Sequence, residues 1–473
     1  MPSELLPLPI DNILPQIVAH LSSAGVVVLK AEPGAGKTTR VPPAILDAGL
    51  AQLSDKRAGQ IIVLQPRRVA ARAAAARMSW ERDTEVGDEI GYQVRYEKRS
   101  SQRTRILVCT EGILLRRLQD DPFLQDTAAV IFDEFHERSI DSDLALAMVA
   151  QVRQAVRPDL RIVVMSATLD TDPIASYLGG CPTVECPGRT HPIKIEYLRY
   201  PPTESTTHLA VAGVKRMLQS TSGDLLVFLP GVGEIRQTQA LLETTAAAAD
   251  IALLALYGDL PLAEQQRVLL PSRQQKIVLA TNVAETSITI DGVTAVVDSG
   301  LARVNRLDPQ LGLNRLDVTR ISKAAADQRA GRAGRNAAGV CLRLWSEREQ
   351  LMLRDFDQPE IARVELSQCL LQLFAWGEQD IAAFPFYESP PVSAIEQALR
   401  LLHSLDALAD NKLTDLGRRM GRLPLQPRLA RLLIEGAHFG HADRAALCAA
   451  LLSERDPFRR QGAQGKAEHH SDS

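Results

Sequence analysis

No apolar run in this chain approaches the roughly 18 residues that a membrane-spanning helix needs. The N-terminus lacks the charged-then-apolar layout of a secretory signal. A cytoplasmic protein with no membrane partner is therefore expected. Cysteine is scarce: there are six in 473 residues, none in a C-x-x-C pattern. Cys181 and Cys186 have no second pair, which argues against a structural zinc site and for free thiols in a reducing compartment. A surplus of one charge is also missing. The formal net charge is −3, so the whole-chain charge does not announce a nucleic-acid partner. Its distribution is less even. From Lys56 to Arg117 there are 14 Lys or Arg against 7 Asp or Glu, although a solvated helix face can carry the same surplus.

What is present is a globular composition. Hydrophobic residues make up 45% of the chain, enough for packed cores, and the length suggests about three domains. The stretch Ala31-Glu32-Pro33-Gly34-Ala35-Gly36-Lys37-Thr38-Thr39 organises the rest. It follows the apolar run 26–29, a buried strand, and precedes a segment able to open a helix. Small residues let backbone N–H groups converge on an anion, and a helix N-terminus favours negative charge. Lys37 would reach the outer phosphates of a nucleotide, and the Thr38 hydroxyl would ligate Mg²⁺. Ala31 stands where the pattern has its first Gly, a departure of one methyl group.

Further strand-like runs alternate with helix-length segments, and each ends in a polar cluster. Residues 61–64 end at Gln65-Pro66-Arg67-Arg68, 105–109 at Thr110-Glu111-Gly112, 129–132 at Asp133-Glu134-Phe135-His136, and 161–165 at Ser166-Ala167-Thr168. This is the pattern of an α/β fold, a parallel sheet with helices on both faces. In such sheets function gathers at the carboxyl ends of the strands. The alternation resumes after Pro187, with strands expected at 193–197, 225–228, 251–256, 276–280, 294–297 and 340–344. This second unit has no phosphate loop of its own. Five prolines, Pro182, Pro187, Pro192, Pro201 and Pro202, punctuate the join, which puts the boundary near residue 190. After about residue 350 helical periodicity takes over, at 367–376, 392–408 and 427–452, with 413–417 a short wing or helix start. The polar end, 459–473, is expected to be disordered, with His469 and His470 solvated.

Asp133 and Glu134 follow four apolar residues. In a nucleoside triphosphatase the first acid holds Mg²⁺ and the second orients or deprotonates the attacking water. His136, Ser166 and Thr168 would lie near enough to couple the nucleotide to the rest of the molecule. In Gln328-Arg329-Ala330-Gly331-Arg332-Ala333-Gly334-Arg335, Arg332 and Arg335 are three apart and share one side of a helical turn. From a lobe without its own phosphate loop they would act as arginine fingers on a γ-phosphate. A contact to an RNA backbone, or a surface basic helix, is the other use of such arginines.

Taken with Ala280-Thr281-Asn282-Val283-Ala284-Glu285-Thr286-Ser287, these motifs stand in the order of a DEAH-type superfamily 2 helicase. The chain resembles this family over residues 31–335, and the bacterial HrpB branch in particular, in which Phe replaces Ala as Phe135 does here. The resemblance implies two RecA-like lobes, 1–190 and 191–350, clamping one Mg²⁺–ATP. It also implies a winged-helix domain over 351–425 and the start of a helical ratchet domain over 426–458, ahead of the tail 459–473. Lobe 1 would supply Lys37, Thr38, Asp133 and Glu134, and lobe 2 would supply Gln328, Arg332 and Arg335. Arg67, Arg95, Thr110 and Thr281 match positions that grip an RNA backbone, and Asp291 a position near the ribose. Arg77 matches the residue that stacks on the base. Leu269 stands where the family has Phe, unless another ring such as Tyr257 supplies the stack, so other nucleoside triphosphates should be accepted beside ATP.

The segment 302–321 matches a strand-separating β-hairpin, with turn chemistry from Asp308, Pro309 and Gly312. The implied substrate is single-stranded RNA, or structured RNA with a single-stranded tail, followed 3′-to-5′ by a monomer. Relatives continue through an oligonucleotide-binding fold, so RNA-stimulated hydrolysis with poor processive unwinding is expected of this chain. A DNA-stimulated enzyme and a non-hydrolysing RNA-binding scaffold are the alternatives, the second opposed by an intact Glu134.

Overall fold

The computed structural model describes residues 7–188, 191–270, 272–286, 290–308, 312–335 and 337–453. Ser287, Pro309, and the stretch 454–473 with His469 and His470 lie outside the described residues.

The first lobe is built on eight strands: β1 (Val26–Ala31), β2 (Gln60–Gln65), β3 (Ile90–Val94), β4 (Glu97–Arg99), β5 (Ile106–Thr110), β6 (Thr127–Phe132), β7 (Arg161–Ser166) and β8 (Thr183–Cys186). Their order is β4-β3-β5-β2-β6-β7-β1-β8. All neighbours are parallel except β4, which turns back antiparallel on β3. The central strands read as unbroken apolar runs because helices cover both faces. Every residue of β6 is buried.

Two of these elements escape the sequence pattern. The β3–β4 hairpin alternates too briefly, and β4 is the three-residue run Glu-Lys-Arg at a sheet edge. Strand β8 lies within the proline-punctuated stretch that reads as a join.

The second lobe carries β9 (Ile193–Leu198), β10 (Asp224–Phe228), β11 (Ala252–Leu256), β12 (Lys276–Ala280), β13 (Val293–Asp298) and, after a hairpin of β14 (Leu301–Asp308) and β15 (Leu313–Arg320), β16 (Gly339–Ser346). The six-stranded sheet runs β11-β12-β10-β13-β16-β9 and is parallel throughout. The hairpin pairs Leu301 with Arg320 through Asp308 with Leu313, one residue ahead of the segment 302–321 that sequence resemblance assigns to it.

Leu366–Phe384, with the described residues from Pro391 to Ser453, forms a separate compact unit. Its helices are Ser367–Trp376, Val392–Ser404, Asp415–Gly421, Pro427–His438 and Ala442–Ser453, with a two-stranded wing, β17 (Leu408–Ala409) and β18 (Lys412–Leu413). The expected helix 392–408 stops at Ser404. Asp406 takes a left-handed φ of 53°, and buried Leu408 then prolongs the apolar spacing from inside the wing. The expected helix 427–452 is two helices, broken where Gly440 adopts φ 74°.

Candidate active site

The loop after β1 is shaped by two glycines. Gly34 and Gly36 have φ of 87° and 94°, a region in which other residues are strained. A Cβ on Gly36 would also come within 2.6 Å of Leu8. Ala31 is fully buried in the lobe core, so the methyl that departs from the usual Gly packs inward. The loop is braced from outside, where the Ile10 N–H donates to the Ala35 carbonyl at 3.1 Å. Glu32 and Gly34 face outward, Pro33 is half-buried, and the helix Lys37–Asp47 begins directly at Lys37 with Thr38 and Thr39 in its first turn.

Strand β6 delivers Asp133 and Glu134 to the same place. Lys37 Nζ lies 3.0 Å from Glu134 Oε1, and Asp133 Oδ2 accepts hydrogen bonds at 2.5 Å from both Thr38 Oγ1 and Gln65 Nε2. Burial, then the adjacent Glu134 charge, pushes the Asp133 carboxyl above its ordinary range. Burial would do the same to Glu134, but the Lys37 charge outweighs it and holds that carboxylate below its ordinary range. Glu134 and Arg138 both sit in the left-handed region, with φ of 52° and 47°, on either side of the turn Phe135–Glu137. Strain at non-glycine residues is characteristic of functional sites.

His136 is buried, which lowers its pKa and favours the neutral imidazole. Its Nδ1 accepts from the Ala167 N–H at 3.4 Å, which puts the proton on Nε2. Ser166 is buried at the end of β7, with its Oγ accepting from the Leu169 N–H.

Lobe 2 meets this cluster through the helix Lys323–Gly331, which carries Gln328 and Arg329, and the short 3-10 turn Arg332–Gly334 that follows it and ends at Arg335. Gln328 Nε2 donates across the cleft to Thr168 Oγ1 at 3.2 Å. Arg332 is buried and donates to the Glu285 carbonyl at 3.0 Å from Nε. Burial lowers the Arg335 pKa to about 10, opposed by the charges of Glu134 in lobe 1 and Asp291 in lobe 2. Asp291 itself is exposed. The third arginine differs. Arg329 is 1% exposed, pairs with Glu285 at 2.8 Å and Asp298 at 2.9 Å, and stacks 4.8 Å from the Phe228 ring. It serves the interior of lobe 2.

The base-stacking candidates are engaged elsewhere in the structure. Arg77 Nε is 2.6 Å from Glu81, and its guanidinium lies 4.7 Å from the Trp80 ring. Leu269 and Tyr257 both pack against cores of lobe 2.

The four backbone-grip candidates sit at strand ends. Thr110 ends β5 and precedes the helix Glu111–Asp120, and Thr281 follows β12 and precedes the turn Asn282–Ala284, neither side chain making a capping hydrogen bond. Arg95 is exposed beyond β3. Arg67 pairs with Glu137 at 3.1 Å, and Glu137 also accepts from Thr286 of lobe 2. A cavity of about 930 Å³ opens here, lined by Arg67, Glu137, Thr286, Arg306, Arg320 and Arg363 among others.

Sequence reasoning passes over Glu137, Gln65 and Glu285. Each directly adjoins or lies inside a recognised motif, but an acid or amide beside a motif carries no spacing signal of its own. Among the described residues, no group of three or more His, Cys, Asp or Glu could hold a metal, and no helix is long and apolar enough to cross a membrane.

Residues 12–176 match the DEAD/DEAH box helicase family, 210–337 the helicase conserved C-terminal domain, and 398–425 the winged-helix helicase associated domain (HA2). The chain is 41% identical over 450 residues to the ATP-dependent RNA helicase HrpB of Escherichia coli (strain K12), covering 94% of this chain and 55% of that one. The chain belongs to the DEAH-box helicases of the HrpB branch. It is also 37% identical over 480 residues to the human ATP-dependent RNA helicase DHX33, covering 97% of this chain and 67% of the relative. The crystal structure of the E. coli DEAH/RHA helicase HrpB superposes with a TM-score of 0.88 at 40% identity, over 96% of this chain and 57% of that chain. The chain thus spans about half the length of HrpB. The DEAH-box fold, two RecA-like lobes followed by a winged-helix domain, accounts for both parallel sheets and the wing.

Proposed function

We propose that the chain is an ATP-dependent RNA helicase or translocase. It hydrolyses a nucleoside triphosphate in the cleft between its lobes and couples this to movement along single-stranded RNA and to strand separation or remodelling of RNA–protein complexes. The observation that carries the reading is the convergence at one cleft of Lys37 and Glu134 from lobe 1 with Gln328 and the charges of Arg332 and Arg335 from lobe 2.

On this reading the loop from Ala31 to Thr39 cradles the phosphates, Lys37 neutralises the outer ones, and Glu134 activates water. Arg332 and Arg335 stabilise charge developing on the transferred phosphoryl group. Asp291 lies by the ribose. Thr38 Oγ1 and the Asp133 carboxylate are adjacent oxygen donors of the kind a hard cation prefers, so they would hold Mg²⁺, which supplies further charge neutralisation when bound. His136, Ser166, Thr168 and Gln328 would relay the state of the nucleotide between lobes.

Arg67, Arg95, Thr110 and Thr281 would hold the RNA backbone along the carboxyl ends of both sheets, without reading sequence. We assign 1–190 and 191–350 to the lobes, 351–425 to the winged helix and 426–458 to the start of a ratchet domain. We further propose a cytoplasmic monomer moving 3′-to-5′. ATP turnover measured alone, with single-stranded RNA and with single-stranded DNA tests the function. Stimulation by RNA is expected; stimulation by DNA alone, or no turnover at all, would overturn it.

A further inference from the structure

The two-residue turn Arg95-Tyr96 joins β3 to β4, whose innermost pair is Val94 with Glu97. Tyr96 adopts φ 66°, a conformation that turns accommodate readily with Gly or Asn and that is an outlier for a bulky side chain. The ring gains little from the fold in exchange. Tyr96 is 86% exposed, and the Arg95 guanidinium lies 4.8 Å from the ring centroid. The turn is nonetheless firmly based, because Glu97 accepts hydrogen bonds from Arg72 and Tyr92.

Its place in the sheet is informative. In the register of the parallel strands, Gln93 of β3 lies opposite Cys109 of β5, and Thr110 of β5 opposite Gln65 of β2. Arg95-Tyr96, Thr110 and Arg67 therefore follow one another along the same edge of lobe 1. Strands are spaced about 4.8 Å apart, so the turn is about 10 Å from the end of β2, within the span of a few nucleotides.

Building on the RNA reading above, we propose that Tyr96 is a base-stacking platform for single-stranded RNA at the outer end of this edge. An exposed ring beside a cation is the usual chemistry for sequence-tolerant binding of single strands: the cation meets phosphate and the ring meets any base face. The strained turn holds the ring out where a base can reach it, and the Arg95 guanidinium backs it.

The test is a comparison of the wild-type chain with Tyr96→Gly and Tyr96→Phe, binding a short oligouridylate and an abasic ribose-phosphate oligomer of the same length. Tyr96→Gly removes the backbone strain, so its thermal midpoint should equal or exceed that of wild type. Its affinity for oligouridylate should nevertheless fall about tenfold, with the slope of log affinity against log salt unchanged because no phosphate contact is lost. Tyr96→Phe should bind as wild type does, and all three should bind the abasic oligomer alike. Wild-type affinity in Tyr96→Gly, or an equal loss on the abasic oligomer, would overturn the stacking role alone. A wild-type chain that binds neither oligomer would overturn the RNA reading with it.

Discussion

Lys37 Nζ and Glu134 Oε1 are 3.0 Å apart, with the two side chains 5% and 8% exposed. The lysine of the loop after β1 and the carboxylate proposed to activate water thus neutralise one another. On the proposed reading a bound triphosphate would draw Lys37 toward its own oxygens. Glu134 would then lose the partner that does most to hold its pKa down and become a better proton acceptor when substrate is present. Glu134→Gln keeps the shape of the site and removes the base. Turnover should fall at least about 10²-fold, the scale of lost general-base catalysis, while nucleotide still binds. Turnover near the wild-type rate would show that another group activates water.

The choice of nucleotide follows from what surrounds the base. Arg77 is turned toward Glu81 and Trp80, and Leu269 packs on the core of lobe 2. On the proposed reading these two residues would cover the faces of the base without reading its edge. ATP, GTP, CTP and UTP should therefore turn over within about tenfold of one another, equivalent to about 1.4 kcal/mol. Leu269→Phe should tighten nucleotide binding, because a ring can stack where an aliphatic chain only covers, a difference of about 0.5–1.5 kcal/mol. A larger preference for ATP in the wild type would contradict this.

The strand ends were legible in the sequence because each apolar run stops at a polar cluster, and the register of a parallel sheet brings those clusters to one edge. Lys37, Asp133 and Glu134 are found together for that reason. Arg329 was not separable from Arg332 and Arg335 by spacing. Its burial against Asp298, Glu285 and Phe228 depends on strands far away in the sequence. The β3–β4 hairpin was hidden because an edge strand of charged residues has no apolar alternation to display. The end of the helix at Ser404 was hidden because Leu408 continues the apolar spacing from a different element.

A pH dependence is built into the neighbourhood of Thr110. Burial pushes the Glu111 carboxyl from its ordinary 4.5 up to about 8, while a hydrogen bond from Ser139 Oγ pulls the other way. Between these values the folded chain binds a proton that the unfolded chain does not. This contribution to stability is therefore full below about pH 4.5 and is lost as pH rises toward 8. Glu111→Gln removes the titration. The variant should be more stable than wild type near pH 8, with the difference shrinking toward pH 5, as read from urea unfolding midpoints. Parallel pH profiles for the two proteins would remove Glu111 as the source.

The central claim is that one catalytic site is assembled from two lobes, and Arg335→Ala addresses it most directly. Arg335 is on the lobe without a phosphate loop, and the Glu134 charge of lobe 1 acts on its guanidinium. With Mg²⁺, ATP and single-stranded RNA present, turnover by this variant should fall about 10³-fold, while equilibrium titrations show nucleotide and RNA affinities within a few-fold of wild type. Intact hydrolysis combined with lost RNA binding would contradict the account and make Arg335 a contact to the RNA backbone.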